Sequence, residues 1–266
     1  MERRCYVAQR IVRAMVTGAS AGVGAAFARR LADHGVELVL VARRGERLHA
    51  LASELPVATE VMVADLGDAA ALARVADRAA TRRDPIDLLV NDAGVGAYGA
   101  LATSDPERAR AMLAVNVAAL THLTQVVLPQ LLQRQTGGVI NVGSTAGYRP
   151  CPHAAVYGAT KAYVRSFTEA VHEEVRGRGV HVMLLAPGST DTEFQQIAGL
   201  REPEAASWVR ASADEVAHVA LDAFASGRAV CLPGATTRVA ALAAGILPSR
   251  VSRRVSAFAT RRMVVL

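Results

Sequence analysis

Tyr157 and Lys161 stand four residues apart in Tyr157-Gly158-Ala159-Thr160-Lys161. Of the 30 basic residues in the chain, Lys161 is the single lysine and every other one is Arg. A sequence so biased toward Arg keeps Lys where a planar, permanently charged fork cannot serve and a compact ammonium can. A helix brings positions i and i+4 onto one face. An ammonium beside a phenol favours the phenolate. The ordinary Tyr value is about 10, so bringing a phenol near neutrality takes roughly 4 kcal/mol of differential stabilisation. A phenol tuned in this way is a general acid or base. An exposed helix pair would read the same, so the meaning of Tyr-x-x-x-Lys rests on the motifs around it.

The first of these is Thr17-Gly18-Ala19-Ser20-Ala21-Gly22-Val23-Gly24, which follows an apolar run and opens an Ala-rich amphipathic stretch. Gly18 suits a tight turn, Gly22 a close backbone approach to a pyrophosphate, and Gly24 close helix–strand packing. The helix start supplies N–H donors and a partial positive charge for phosphates. The second apolar run ends in Val41-Ala42-Arg43-Arg44. In a dinucleotide-binding sheet this strand end meets the adenosine ribose. An acid there would pair with a free 2′-hydroxyl, whereas Arg43 with Arg44 attracts a 2′-phosphate, which predicts NADP(H). The alternative is that both arginines belong to a solvated helix start.

The elements that must position these residues follow from periodicity. Apolar, β-branched runs predict strands at 11–16, 36–42, 59–64, 86–91, 138–143, 180–186 and 228–232. Amphipathic stretches predict helices at about 22–34, 45–54, 68–82, 105–134, 155–177 and 213–226. Alternation of the two implies an α/β fold, a doubly wound, seven-stranded parallel sheet with helices on both faces. Such strands are covered on both sides and read as apolar throughout, as Val-Glu-Leu-Val-Leu-Val-Ala at 36–42 nearly does. With 266 residues and no internal repeat, one catalytic domain over 1–235 is expected, followed by a basic tail, 236–266, that is not a separate domain. The stretch 188–212 has no clear period and is expected to be a loop covering the ligand.

Composition narrows the classes. Apolar residues make up 52% but aromatics only 4%, so the core is built from Ala, Val and Leu. No run of 18 apolar residues predicts a membrane span. Cys5, Cys151 and Cys231 are odd in number and far apart, a pattern for neither a metal nor disulfides, and a cytoplasmic location is expected. The net charge of +6 sits in the tail, which holds Arg238, Arg250, Arg253, Arg254, Arg261 and Arg262 and no acid. Setting those six aside leaves 24 basic residues against the chain's 24 acids, so nucleic-acid binding by the body is not expected. The tail reads as a membrane-surface helix, as packing against a neighbouring subunit, or as a cover on the pocket.

Taken in order, the motifs resemble the compact short-chain dehydrogenase/reductases over about residues 11–234. The resemblance rests on Thr17–Gly24, Asp65, Asn91-Asp92-Ala93-Gly94, Asn116, Ser144, Tyr157, Lys161 and Pro187-Gly188. It implies a Rossmann-type fold and catalytic roles for Asn116, Ser144, Tyr157 and Lys161. Tyr157 is then the acid in reduction and the base in oxidation, with Lys161 lowering its pKa and reaching the nicotinamide ribose. Ser144 orients the substrate oxygen, and Asn116 holds a water that links Lys161 to solvent. Cofactor contacts are implied for Gly18, Ser20, Gly22, Val23, Gly24, Arg43, Arg44, Asp65, Leu66, Asn91, Ala93, Gly94, Tyr157, Lys161, Pro187, Gly188, Thr190 and Thr192. No metal is implied. Asp92 departs from the family's second Asn and adds a carboxylate near the cofactor, for which tuning is expected. Ala21 leaves the glycine loop without a basic residue. The strand end and the tail look most like a branch that includes reductases of acyl chains and other lipophilic ketones.

Val95, Ala146, His153, Phe194 and Trp208, with Tyr98, Pro152, Ile197 and Leu200, are the candidate pocket residues. They are mainly apolar, which suggests a lipophilic ketone or aldehyde such as an acyl, polyketide, terpenoid or steroid-like group; the same residues could simply pack the loop. The leading expectation is an NADP(H)-dependent carbonyl reductase. The alternatives are an alcohol dehydrogenase running in the oxidising direction and a non-catalytic NADP-sensing or scaffold protein. By resemblance the chain forms a homodimer or homotetramer through the helices near 107–134 and 155–177.

Overall fold

In a computed structural model of the chain, the described residues are 11–191, 193–194, 198–199, 211–246, 253–254 and 257. Strands and helices alternate as β1 Arg13–Thr17, α1 Gly22–Asp33, β2 Glu37–Ala42, α2 Gly45–Glu54, β3 Thr59–Val63, α3 Ala69–Ala80 and β4 Leu88–Asn91. There follow α4 Pro106–Leu113, α5 Leu120–Arg134, β5 Gly138–Val142, α6 Ala155–Glu174 and β6 His181–Leu185. The last described elements are β7 Thr190–Asp191, β8 Ala211–Ser212, α7 Ala213–Ala225, β9 Val230–Cys231 and α8 Ala235–Ile246. Seven strands form one sheet in the order β3-β2-β1-β4-β5-β6-β9, and every pair in it is parallel. The doubly wound, Rossmann-type sheet is therefore the observed architecture. β7 and β8 pair separately as a two-stranded ribbon inside the 188–212 stretch.

The pleat divides the strand side chains between two cores. Ala14, Val16, Leu38 and Leu40 join α1, α2 and α7 on one face. Met15, Val39 and Val41 join α3, α5 and α6 on the other. Small residues let the helices approach closely: Ala25, Ala28 and Ala32 of α1 and Ala217, Ala220 and Ala223 of α7 are all buried in the first core. Arg30 of α1 donates from Nε to Asp214 of α7 at 2.7 Å, fastening the rim of this contact.

Two differences from the expected elements bear on function. The helix expected over 105–134 is interrupted by a π turn at Ala114–Ala119, which carries Asn116. The apolar period continues through it, so periodicity alone could not reveal the break. The strand expected at 228–232 shrinks to Val230–Cys231 at the sheet edge, where it pairs with Leu184 and Leu185. Strand order reverses between β1 and β4, and ligands bind such sheets at this point, beyond the strand C-termini. Thr17, Asn91, Val142 and Leu185 end the strands that border it. Apart from Arg253, Arg254 and Ala257, the expectations for the tail beyond 246 lie outside the described residues.

Candidate active site

The glycine loop follows β1. Gly18 has φ +73°, and a Cβ there would stand 2.8 Å from the Ala93 backbone nitrogen. Only glycine permits the loops after β1 and β4 to meet this closely. Thr17 secures the same junction: its Oγ1 donates to the Val90 carbonyl at 3.3 Å and accepts from the N–H groups of Asp92 and Ala93 at 3.1 Å each. At Gly24 a Cβ would meet the Gly18 carbonyl oxygen and Asp92 Oδ2, both at 2.7 Å. Ala21 begins α1 without a side-chain cap. The first turn therefore keeps N–H groups for an anion, with the Asp92 carboxylate beside Gly24 and its pKa lowered by that backbone N–H. This uncapped helix start and glycine cradle fit the pyrophosphate of a dinucleotide.

The expected cofactor residues divide by side-chain placement. Ser20 Oγ accepts from Arg44 Nε at 3.1 Å, which joins the glycine loop to the end of β2. Arg43 approaches Asp65 at 3.7 Å, and Asp65 Oδ1 accepts from Gly67 N–H at 2.9 Å. Val23 and Leu66 point into the cores, so only their backbones face a ligand. The Asn91 side chain is turned into the fold. It is buried and donates to Asn141 Oδ1 at 2.9 Å and to Thr124 Oγ1 at 3.1 Å, binding β4 to β5 and α5. Ala93 and Gly94 border the cleft; a Cβ on Gly94 would lie 3.4 Å from Asn116 Oδ1 and 3.7 Å from Lys161 Nζ. Pro187 accepts from Thr145 N–H at 3.1 Å. Gly188 abuts Thr237 of α8, and Thr190 Oγ1 turns back to the Gly188 carbonyl at 3.3 Å. Thr192 lies outside the described residues.

The four expected catalytic residues come together. A 3-10 turn, Thr145–Tyr148, packs on α6 so closely that a Cβ on Gly147 would meet the Lys161 carbonyl oxygen at 2.5 Å. This contact brings Ser144 beside Tyr157 across 13 residues of sequence, near enough for the serine to lower the phenol's pKa, while its Oγ accepts from Ala146 N–H at 3.1 Å. Lys161 is buried, and its Nζ donates to the Val142 carbonyl at 2.8 Å. Asn116 reads the loop after β4 with both ends of its amide: Oδ1 accepts from Val95 N–H and Nδ2 donates to the Val95 carbonyl, each at 2.9 Å. Nδ2 also donates to Thr160 Oγ1 at 3.1 Å, and that hydroxyl donates to the Tyr157 carbonyl at 2.8 Å. Thr160 thus joins the π turn to α6, a role that sequence reasoning missed.

Electrostatics here depart from expectation in one respect. Burial pushes the Tyr157 phenol up to about 12; Ser144 opposes this, and the Cys151 and Asp92 groups add to it. Lys161 does not bring the phenol toward neutrality in these contacts, because its ammonium is drawn to the Val142 carbonyl and stands 5.9 Å from the ring centroid. Burial lowers Lys161 itself to about 8, opposed by Asp92. Asp92 is raised to about 7, chiefly by burial, against the pull of Lys161 and the Gly24 N–H. Asp92 keeps a little surface in the cleft but is otherwise enclosed by protein atoms. The two shifts oppose each other as expected for a cation and an acid sharing one desolvated place.

Around Tyr157 the wall is apolar. Met112, Ala154, Val95, Tyr98, Ala146 and Phe194 cluster with it. The rings of Tyr98 and Phe194 lie 5.9 Å and 5.6 Å from the Tyr157 ring. Beside them a cleft of about 450 Å³ is lined by Tyr98, Leu101, Met112, His153 and Val156, among others. His153 has φ +62°, and its buried Nδ1 has no hydrogen-bond partner. Cys151 is pushed up by burial, consistent with an inert thiol. Ile197, Leu200 and Trp208 lie outside the described residues. The segment after β6 contributes a contact that no motif announced: Glu193 accepts from Arg44 at 2.7 Å and from Arg47 at 2.8 Å.

Comparison with known proteins agrees with this geometry. The family model for short chain dehydrogenase matches residues 12–202. Sulfoacetaldehyde reductase 2 of Chromohalobacter salexigens is 40% identical over 185 residues, 68% of this chain and 73% of that protein. Very-long-chain 3-oxoacyl-CoA reductase of Anas platyrhynchos is 32% identical over 233 residues, 84% of this chain and 72% of that protein. A short-chain dehydrogenase from Sphingobium yanoikuyae, solved in complex with NADPH, superposes with a TM-score of 0.78 at 35% identity, covering 86% of this chain and 91% of that one.

Proposed function

Because the chain belongs to the short-chain dehydrogenase family, we propose that it is an NADP(H)-dependent carbonyl reductase acting on a lipophilic ketone or aldehyde. The observation that carries this reading is the buried Tyr157 phenol, with Ser144 and Lys161 brought beside it, set in an apolar wall. Cofactor choice is supported by Arg43 and Arg44 at the end of β2 and by the NADPH complex of the Sphingobium yanoikuyae relative. When bound, the cofactor supplies the hydride.

The chain's own residues do the rest. Ser144 orients the carbonyl oxygen, and Tyr157 delivers a proton to the oxygen as negative charge develops there. A phenol held at about 12 keeps its proton across neutral pH and is still far more acidic than the alcohol that forms, so it can protonate the developing alkoxide. Lys161 places a cation behind Tyr157 and faces the cleft beside Gly94. Tyr98, Met112 and Phe194 exclude water and favour a bulky apolar substituent on the carbonyl. The Anas platyrhynchos relative, a very-long-chain 3-oxoacyl-CoA reductase, supports an extended apolar substrate. A cytoplasmic homodimer or homotetramer completes the reading.

The test is NADPH oxidation by the full chain against paired panels of lipophilic carbonyls and small charged ones. Turnover of the lipophilic panel with NADPH is expected. Turnover confined to small anionic carbonyls would overturn the substrate class, and cofactor binding without any turnover would favour a sensor.

A further inference from the structure

Glu193 precedes Phe194, whose ring lies against Tyr157, yet its carboxylate is bound at the end of β2. Oε2 accepts from Arg44 Nη1 at 2.7 Å. Both oxygens accept from Arg47 Nη1 at 2.8 Å. Arg44 is held in turn by Ser20 of the glycine loop. Neither the glycine motif nor the Tyr–Lys pair makes use of Glu193. The two guanidinium groups hold its carboxyl below the ordinary range. The cluster is also open to exchange: the side chains of Arg44, Arg47 and Glu193 are 40%, 48% and 44% exposed.

A carboxylate and a phosphate ask the same thing of a guanidinium, paired N–H groups aimed at anionic oxygens. Two such anions at one arginine compete for its donors and repel each other. A nucleotide with a bare 2′-hydroxyl meets no such rival. We propose that Glu193 is a specificity-determining residue for the cofactor, an internal anion that holds Arg44 and Arg47 in place of a 2′-phosphate and so narrows the preference for NADPH over NADH. This rests on the NADP(H) reading above. The residue sets how strongly the arginines discriminate, and its position beside Phe194 makes one segment serve both the phosphate end and the substrate wall.

Calorimetric titration of the full chain with NADPH and NADH, wild type beside Glu193→Gln, tests this. The neutral amide neither competes for Arg44 nor repels phosphate. NADPH should bind about fivefold more tightly to the variant, the order expected of one partly exposed charge pair, with NADH unchanged. The fragments 2′,5′-ADP and 5′-AMP should repeat the pattern, the first tightening and the second not. Unchanged NADPH affinity would make the contact idle and overturn the proposal. Weaker NADPH binding would overturn it too, by making Glu193 a bracket that presents Arg44 to the phosphate. A wild-type chain that binds neither dinucleotide would bring down the cofactor reading itself, an outcome distinct from the other two.

Discussion

Lys161 holds its ammonium 5.9 Å from the centre of the Tyr157 ring, while its Nζ donates a hydrogen bond to the Val142 carbonyl at 2.8 Å. The i, i+4 spacing puts both side chains on one face of α6, but β5 decides where the lysine ends. An ammonium spent on a carbonyl stabilises a phenolate less than a free one at contact distance. Burial then dominates the phenol and raises its pKa, which suits the acid role proposed for Tyr157.

Lys161→Arg should be much worse than its conserved charge suggests. The slot beyond β5 offers Lys161 one carbonyl acceptor, whereas a guanidinium carries five N–H donors and needs more room. Buried donors without partners are costly. Turnover is expected to fall by at least about a hundredfold, the scale of a lost acid–base contribution. Steady-state kinetics on the variant check this; turnover near the wild-type value would show that the site asks only for charge.

Asp92 makes stability depend on pH in a direction that can be worked out. Its folded value, about 7, lies above the ordinary one of 3.8, so between the two the unfolded chain binds fewer protons. Stability therefore falls as pH rises through this window, and the contribution is gone above about 7. Lys161, lowered to about 8, acts oppositely beyond that point: the unfolded chain then holds the extra proton and stability recovers with pH. Asp92→Asn retains an acceptor for the Gly24 N–H and removes the charge. It should come closest to wild type below about pH 3.8, pull ahead as pH rises through the window, and melt higher near about pH 8. It should also shift the alkaline limb of activity to lower pH, since Lys161 loses the acid that raises it. Melting curves that keep a constant separation across pH would contradict the assignment.

The strands were legible because burial on both faces leaves an unbroken apolar run, and the glycine loop because its spacing is forced by backbone contacts that a Cβ would break. Tyr157, Lys161 and Ser144 were legible as types at fixed intervals. What could not be read is what depends on distant chain. The π turn at Ala114–Ala119 leaves the apolar period of its helix intact. Asn91 sits in a cofactor motif, but its amide serves the buried pair Asn141 and Thr124. Asp92 looked like a local change of charge, and only the fold shows its carboxylate at the start of α1. Glu193 meets Arg44 across 149 positions, and no local pattern encodes that.

Asn116→Ala tests the π turn. The amide occupies the N–H and the carbonyl of Val95 together and also bonds Thr160. Alanine would leave these groups without their partner in a part-buried place, at a cost of about 2–4 kcal/mol. Urea unfolding should show that loss, and turnover should drop because the loop that walls Tyr157 is no longer fixed. A loss below about 1 kcal/mol would mean that the helix holds its π turn without Asn116.

Arg43→Asp tests how the end of β2 reads the ribose. Arg43 is largely exposed and lies 3.7 Å from Asp65, a weak pairing that leaves its guanidinium available to an anion. Replacing it with an acid sets a carboxylate where a 2′-phosphate would lie, beside the carboxylate of Asp65. Repulsion and the lost charge-assisted bond act together against NADPH, whereas a 2′-hydroxyl can donate to the new acid. NADPH affinity should fall on the order of tenfold to hundredfold, and NADH affinity should hold or improve. Because Arg44 and Arg47 remain, some phosphate affinity should survive, and it should vanish when Arg44 is replaced as well. The position is exposed, so the melting temperature should barely move, which separates this effect from damage to the fold. Equal losses for both dinucleotides would place the adenosine phosphate elsewhere in the cleft.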